Sequence, residues 1–443
     1  MKTLALPLLA LLALPAAAAE RRMTLTVDAT DAPRRLLHAR ATIPAPPGPL
    51  TLRYPKWIPG EHGPTGPIVD VAGFVVRAGG KTLEWHRDDV DLYAVHVTVP
   101  AGASAVEVSY DYLAPAERES YSSGGSTTSE LVALEWNLVL IYPDGVSQHD
   151  LIVTPKLTVP HGWKLGTALE TARQTGDTTE FKPVTLETLV DSPVIAGAHF
   201  RSWPLGTVDG VVHTLDAVAD SEGALAIEPE QLASFKRLVV EAGLLFGTRH
   251  YQRYHFLLTL SDKVAHFGLE HHQSSDNRTR ERFLIEEGPR KLSSSLLPHE
   301  FVHSWNGKFR RPAGLAVDGF DKPMRGDLLW VYEGLTNYLG WVLATRSGLE
   351  APEWSQEELA LTAAQMETRT GRQWRPLEDT ALAASILRGS PEWSAWRRSL
   401  DYYPEGTLLW LDADVTIRAL TGGKKSLDDF CRLFHGGPNK GAE

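Results

Sequence analysis

Apolar and polar side chains alternate in short runs over the first part of the chain, for example in residues 95–99 and 106–112. A spacing of two is typical of β-strands that bury one face. Prolines and glycines separate the runs, as in residues 45–49 and 59–64, and they indicate turns. The pattern predicts an N-terminal all-β domain, sandwich-like or saddle-like, over residues 20–200.

Helical periodicity replaces this alternation after residue 200. Apolar residues then recur every three or four positions, which is the spacing of one face of a helix. Residues 251–260 are an exception, because they alternate and predict a strand. The second domain, residues 201–443, is therefore expected to be mainly helical. The predicted helices are residues 228–246, 294–306, 326–347, 353–370 and 407–420, with a short one that begins at Ser426.

Residues 1–19 have the features of an export signal. Lys2 is followed by an apolar run over residues 4–14 and by small residues at 16–19. A basic start, a short apolar core and small residues before a cleavage point are typical of a Sec signal peptide. The run is too short for a membrane span, and no later stretch approaches the roughly 18 apolar residues that a span needs. We therefore expect a mature chain that is periplasmic or secreted and has no membrane span.

Composition narrows the class of protein. A chain of 443 residues is too long for one hydrophobic core, so two or three domains are expected. The net charge of −11 provides no basic surface for nucleic acid, and we expect no nucleic-acid partner. Cys431 is the single cysteine, so an internal disulfide is excluded.

The sequence His-Glu-Phe-Val-His at residues 299–303 is the strongest sign of chemistry. Two histidines four residues apart lie on the same face of a helix, so His299 and His303 can bind one metal ion. Glu300 would lie beside such a metal, where it can accept a proton from a water molecule. The pattern fixes only three positions, so its meaning depends on whether a third ligand lies downstream.

A tetrahedral catalytic zinc needs a third protein ligand and one open position. Glu333 is the best candidate, because it lies in the middle of a predicted helix among leucine, tryptophan and valine. An ordinary exposed glutamate is the alternative interpretation. With the His-Glu-x-x-His sequence upstream, we expect one zinc ion per chain, held by His299, His303 and Glu333.

These residues and their neighbours resemble the glycyl aminopeptidase family of zinc metallopeptidases, which is metallopeptidase family 61 of the gluzincin clan. The family pattern joins His-Glu-x-x-His-x-Trp-Asn to a basic stretch that ends in proline and then to Trp-x-x-Glu-Gly-hydrophobic-Thr. The resemblance implies a thermolysin-like α+β catalytic domain, mainly helical, over residues 201–443. Family members commonly continue further, so we expect an incomplete C-terminal end and exposed apolar surface on residues 412–434. The matching positions are His299, Glu300, His303, Trp305, Asn306, Arg311, Pro312, Trp330, Glu333, Gly334 and Thr336.

Two further stretches extend the resemblance to the substrate site. Residues 268–271 match the family's Gly-Leu-Glu-His motif. The match implies that Glu270 binds the free amino group of the substrate and that His271 shapes the substrate site. Tyr403 matches a tyrosine whose hydroxyl stabilises the oxyanion, and the neighbouring Tyr402 is the alternative.

The resemblance implies a zinc aminopeptidase that hydrolyses the first bond of peptides with a free amino terminus, with a preference for glycine or alanine. In this interpretation Glu300 is the general base. Two alternatives stay open. The chain would be a zinc endopeptidase if Glu270 pointed elsewhere, and a catalytically silent binding protein if its zinc were structural.

Several other histidines have no metal-ligand spacing in the sequence. For these we expect structural or surface roles and no part in metal binding. They are His38, His62, His86, His96, His161 and His213.

Overall fold

The structure is a computed structural model of the chain and describes residues 21–115, 126–390 and 392–438. The predicted signal peptide lies outside the described residues. The described chain forms a β-rich N-terminal domain followed by a mainly helical domain, and this order confirms the predicted fold class.

Short strands of the N-terminal domain pair into three sheets. The strands are β1 (Arg21–Asp28), β2 (Leu36–Pro44), β3 (Gly48–Arg53), β4 (Val71–Ala78), β5 (Lys81–Leu83), β6 (Trp85–Arg87), β7 (Ala94–Val99), β8 (Ala105–Leu113), β9 (Ser126–Thr127), β10 (Leu131–Leu134), β11 (Tyr142–Pro143), β12 (Leu151–Thr158), β13 (Lys164–Thr167), β14 (Thr171–Thr175), β15 (Thr178–Phe181), β16 (Val184–Thr185) and β17 (Val194–Gly197).

The largest of these sheets has nine strands, in the order β14-β15-β12-β1-β2-β8-β4-β5 with β16 beside β12. The two four-stranded sheets have the orders β13-β17-β10-β9 and β11-β3-β7-β6. Strand β8 buries every second side chain, as its alternating sequence predicts. Most pairs are antiparallel, and β1 runs parallel to β12. A short helix, α1 (Leu186–Val190), precedes β17.

Another sheet, with five strands, opens the second domain. These strands are β18 (His199–Val208), β19 (Val211–Ala219), β20 (Arg253–Leu260), β21 (Phe267–Glu270) and β22 (Ser274–Thr279). Their order is β18-β19-β20-β22-β21, so β21 is an edge strand and runs antiparallel to its neighbour. The edge position leaves one side of β21 open to other parts of the molecule.

Helices make up most of the second domain. Helix α5 (Leu329–Ser347) is followed by Gly348, whose φ of 77° lies in the left-handed region that favours glycine. The predicted helix over residues 294–306 is shorter than expected, because the chain turns tightly after its second histidine. The helices are α2 (Pro229–Phe246), α3 (Glu287–Ser293), α4 (Leu296–Val302), α5 (Leu329–Ser347), α6 (Pro352–Thr368), α7 (Leu377–Leu382), α8 (Ala384–Leu387), α9 (Ser394–Arg397), α10 (Pro404–Leu420) and α11 (Leu427–His435).

The two domains interlock through Phe320, which precedes α5 in the chain. Its buried ring belongs to the hydrophobic core of the N-terminal domain and packs edge-on against Tyr142, with centroids 6.0 Å apart. Its carbonyl oxygen accepts hydrogen bonds from the backbone nitrogens of Lys56 and Trp57, at 3.0 and 2.8 Å. A segment of the N-terminal domain is thereby fixed against the second domain.

Two further features concern the surface. Within the described residues, the helices are too short or too polar to cross a membrane. Several apolar side chains on α10 and α11 are exposed. They are Val415, Leu420, Leu433 and Phe434.

Candidate active site

His299 and His303 approach each other at the C-terminal end of α4. Their Nε2 atoms are 3.2 Å apart. The Nδ1 atom of His303 lies 2.9 Å from the carbonyl oxygen of Asn306. Because a carbonyl accepts a hydrogen, Nδ1 carries the proton of the neutral ring and Nε2 keeps its electron pair. His303 is therefore held in the tautomer that can bind a metal through Nε2.

Asn306 connects the end of α4 to α5. Its side-chain amide donates to the carbonyl oxygens of Val331 and Tyr332, at 3.0 and 3.1 Å. It also lies 3.0 Å from the hydroxyl of Thr336. The acceptors flank Glu333 in the sequence, so this amide fixes the position of Glu333 relative to the histidines.

Glu333 directs one carboxylate oxygen at both histidines. Its Oε2 is 3.3 Å from the Nε2 atom of His299 and 3.3 Å from that of His303. Among the described residues, this buried oxygen has no hydrogen-bond partner. A tetrahedral zinc with bonds of about 2.0–2.1 Å separates its ligand atoms by roughly 3.3 Å. The three atoms have the spacing that zinc requires, and the site fits this metal.

Glu300 lies near the same atoms but suits a different role. Possible ligand atoms of His299, Glu300 and His303 all lie within 4.8 Å of one another. The distances from Oε2 of Glu333 to the Nε2 atoms of His299 and His303 are shorter than this and equal to each other, as expected of direct ligands. The Glu300 carboxylate instead packs against Gly268, where any added Cβ atom would overlap it. Glu300 is thus placed beside the metal position.

Burial has the largest effect on the ionisation of these carboxyl groups. It raises the pKa of Glu300 well above its usual range, and the charges of Glu270 and Glu333 add to this effect. Burial also opposes the ionisation of Glu333. There the imidazoles of His303 and His62 overcome it and hold the pKa of Glu333 well below its usual range. Glu300 is therefore the carboxyl that holds a proton most readily.

Glu270 ends the edge strand β21 and faces the same centre. Its Oε1 accepts a hydrogen bond from the hydroxyl of Tyr332, the residue before Glu333. Only 3% of Glu270 is exposed. A Cβ atom added at Gly60 would lie 2.6 Å from Oε2 of Glu270, so a larger residue does not fit there. The N-terminal domain closes over Glu270 at this point.

His271 directly follows the last residue of β21, and its side chain contacts residues other than His299 and His303. Its Nδ1 is 3.3 Å from a carboxylate oxygen of Asp191, which also accepts a hydrogen bond from Lys308 at 2.8 Å. These residues line a separate cavity of about 110 Å³ between the two domains. The structure brings Glu270 to the catalytic centre and does not bring His271 there.

Tyr403 and Tyr402 occupy different positions at the start of α10. Tyr403 lines a cleft of about 340 Å³ with His299 and Glu300. Its ring centroid is 6.1 Å from that of His299, and its hydroxyl accepts a hydrogen bond from Arg388 at 3.2 Å. Tyr402 is fully buried, and burial raises its pKa to about 12. Of the two tyrosines, Tyr403 is the one that faces the cleft.

The N-terminal domain contributes a residue that the sequence did not indicate. Spacing gave His62 no part in metal binding, yet its Nε2 is hydrogen-bonded to Oε1 of Glu333. The two residues are 271 positions apart, so no local motif could connect them. The one local sign is the run of prolines and glycines over residues 59–64, which marks a tight loop.

Comparison with solved structures shows the fold of zinc aminopeptidases. An aminopeptidase N family protein from Idiomarina loihiensis is similar with a TM-score of 0.81 and 20% identity, over 93% of this chain and 69% of that one. An M1 zinc metallopeptidase from Deinococcus radiodurans is similar with a TM-score of 0.54 and 16% identity, over 94% and 87%. Yeast LTA4 hydrolase in complex with bestatin gives a TM-score of 0.54 and 13% identity, over 94% and 61%.

Comparison with protein families is more specific. The model of the Peptidase M61 N-terminal domain matches residues 24–198, and the model of M61 glycyl aminopeptidase matches residues 293–409. A comparison with curated proteins found no match. The two family matches cover more than half of the chain, and the second includes His299, Glu300, His303 and Glu333. The chain therefore belongs to the M61 glycyl aminopeptidase family and is a zinc metallopeptidase of the aminopeptidase type.

Proposed function

We propose that this aminopeptidase removes small first residues, glycine or alanine, from peptides with a free amino terminus. One observation carries the proposal. Buried Glu270 accepts a hydrogen bond from Tyr332, the residue before Glu333, at a point where the backbone of Gly60 closes the site. A peptide that presents its ammonium group to Glu270 has its first peptide bond nearest to the metal position.

We assign one zinc ion to His299, His303 and Glu333, in agreement with their mutual distances of 3.2–3.3 Å. When bound, zinc lowers the pKa of a coordinated water to about 7 and polarises a carbonyl oxygen. The protein's part is to hold two imidazoles, with His303 in the tautomer that can bind a metal, and one carboxylate oxygen without competing hydrogen bonds.

Glu300 is the proposed general base and acid. It takes a proton from the attacking water and delivers it to the nitrogen of the leaving amine. Burial supports this role, because it raises the pKa of Glu300 and so makes the carboxyl hold the proton between the two transfers. A carboxylate in open solvent would release that proton more readily.

Tyr403 is the proposed donor to the oxyanion. Its hydroxyl faces the cleft beside His299 and Glu300, and Arg388 donates a hydrogen bond to the same oxygen. A tyrosine hydroxyl can donate its hydrogen to the negative charge that develops on the carbonyl oxygen. Tyr402 is buried behind it and is the weaker candidate.

Glu270 is the proposed partner of the substrate's ammonium group. An ammonium that enters a closed site loses its hydration, and a fixed carboxylate offsets that cost. Burial acts against ionisation of Glu270, but the charges of His303 and Lys308 lower its pKa, which favours the anion. The backbone at Gly60 limits the space beside this carboxylate, and this limit supports small first residues. It also speaks against an endopeptidase, whose substrate must continue past this point.

A substrate panel tests the proposal. Glycyl, alanyl, leucyl and phenylalanyl anilides and N-acetyl-alanyl anilide are compared, each with and without a zinc chelator. We expect hydrolysis of the glycyl and alanyl anilides, slower reaction of the larger ones, none of the acetylated one and none with chelator. In solved structures, a mutant of the Deinococcus radiodurans M1 zinc metallopeptidase is bound to a Tyr-Ser-Ala substrate. Equal rates for the phenylalanyl and glycyl anilides would contradict the preference.

We also propose export of the chain to a periplasm or to the medium. The basic start, apolar run and small residues of positions 2–19 support this assignment. Amino-terminal sequencing of protein recovered outside the cytoplasm tests it, and a mature start near residue 20 is the expected result.

A further inference from the structure

The loop of residues 57–63, here called the bridging loop, belongs to the N-terminal domain but reaches the catalytic centre. It lies between β3 and β4. At one end, the backbone nitrogen of Trp57 donates to the carbonyl oxygen of Phe320 at 2.8 Å. At the other end, Arg388 donates to the carbonyl oxygen of Glu61 at 2.9 Å. The catalytic half of the chain therefore fixes both ends of the bridging loop.

His62 occupies a constrained position in this loop. Its φ of 56° lies in the left-handed region, which is unfavourable for a residue with a side chain. Its ring is buried and meets the rings of Tyr332 and Tyr402 edge-on, at centroid distances of 5.8 and 6.3 Å. A strained backbone and close aromatic contacts give the imidazole one orientation, which directs Nε2 at Oε1 of Glu333.

The two oxygens of Glu333 consequently have separate partners. Oε1 is hydrogen-bonded to His62, and Oε2 lies 3.3 Å from the Nε2 atoms of His299 and His303. A carboxylate oxygen can only accept, so Nε2 of His62 is the donor. A carboxylate without such a partner can rotate and offer either oxygen, or both, to a metal.

We propose that His62 is a positioning residue for the metal site: its hydrogen bond to Oε1 keeps Glu333 a one-oxygen ligand through Oε2. The inference rests on the proposed zinc site. Partners of this kind orient a ligand and typically change metal affinity or activity by about 10–100-fold when they are removed. The N-terminal domain thus takes part in holding the metal, through a residue that does not touch it.

Three variants test the hydrogen bond. His62→Phe keeps an aromatic ring against the two tyrosines but cannot donate, and His62→Gln keeps an N–H donor. Both have the same unfavourable backbone conformation, so their comparison isolates the donor. His62→Ala is a second variant without a donor, in case the larger ring disturbs folding. His86→Phe is the matched control, because His86 is an exposed histidine of the same domain.

The readouts are the zinc dissociation constant, by competition with a chelator, and the visible spectrum of the cobalt(II)-substituted protein, which reports coordination geometry. We expect zinc binding to weaken about 10–100-fold in His62→Phe and His62→Ala, with a changed cobalt spectrum. His62→Gln should recover most of the affinity, and His86→Phe should equal the wild type.

Wild-type affinity and spectrum in both variants without a donor would overturn the inference while leaving the zinc site intact. Equal losses in His62→Gln and His62→Phe would overturn it too, because the donor would then be irrelevant. A wild-type protein that binds no zinc would instead refute the proposed function itself.

Discussion

At the scale of single residues, three buried glutamates stand close together and are kept in different states. Glu300 has a raised pKa because burial outweighs the opposing charge of His303. Glu333 and Glu270 are equally buried, but neighbouring imidazoles lower the pKa of each. A proton carrier and two anions can therefore operate in one small volume. The difference comes from what each carboxyl faces and not from its residue type.

Replacement of Glu300 by glutamine tests the proton carrier. Glutamine has nearly the same shape but cannot accept a proton, so we expect kcat to fall by about 10²–10⁴-fold. Zinc content, measured by atomic absorption, should stay at one ion per chain. Near-normal hydrolysis of alanyl anilide by Glu300→Gln would remove the proposed mechanism.

The oxyanion donor is tested by comparing the two tyrosines. Tyr403→Phe should lower kcat and leave KM almost unchanged, because the lost hydrogen bond forms mainly in the transition state. Tyr402→Phe is the matched control, since it removes a buried hydroxyl one residue away. Steady-state kinetics on both variants decide the question, and a larger loss of kcat in Tyr402→Phe would reverse the assignment.

At the scale of elements, sequence patterns predicted the long helices and several strands but not how distant elements meet. Apolar residues that recur at every second position predicted strand β8, and apolar residues that recur every three or four positions predicted helix α5. The helix with the histidines ends at Val302, earlier than its pattern suggested, since the turn after it lets Asn306 bond to α5. His62 could not be predicted at the site, because it depends on a fold that joins positions 271 residues apart.

Substitution of Gly60 tests the packing of the bridging loop on β21. Its φ of 87° and the 2.6 Å approach to Glu270 make any side chain unfavourable. Strain of about 1–3 kcal/mol is expected in Gly60→Ala, and kcat/KM for alanyl anilide should fall by about tenfold or more. Gly63→Ala is the matched control, because its Cβ would meet the nearest atoms at 3.5 Å, an ordinary contact. Equal activity in the two variants would contradict the proposed packing.

Strand β19 contains a histidine that should make stability depend on pH. Burial, aided by the charge of Arg249, lowers the pKa of His213 to about 4. The unfolded chain, with a histidine pKa near 6.5, binds this proton more readily than the folded one. Stability should therefore be fully present above about pH 6.5 and decrease as the pH falls towards 4, by up to about 3 kcal/mol.

Urea unfolding at pH 7 and pH 5 measures this effect. His213→Phe cannot titrate at that position, so its stability should change less between the two pH values than that of the wild type. A wild type and variant with equal pH dependence would show that His213 is not one of the groups responsible.

At the scale of the whole molecule, the two domains form one catalytic centre. The second domain supplies the three proposed zinc ligands, and also Glu300 and Glu270. The N-terminal domain closes over them with Gly60 and His62 and accepts Phe320 into its own core. Closure on one side of Glu270 is the physical reason to expect an enzyme that acts on chain ends. The separation of roles between domains also explains why a motif in one domain could not describe the full site.

The ratio of kcat/KM for alanyl anilide to that for N-acetyl-alanyl anilide, in the wild type and in Glu270→Ala, tests this account most directly. If Glu270 holds the ammonium group, the wild type strongly favours the free amine. Glu270→Ala then shows a raised KM, a lower kcat/KM for the free amine and a ratio that moves towards one. A wild type that cleaves both substrates equally, or a ratio unchanged by the substitution, would contradict the account.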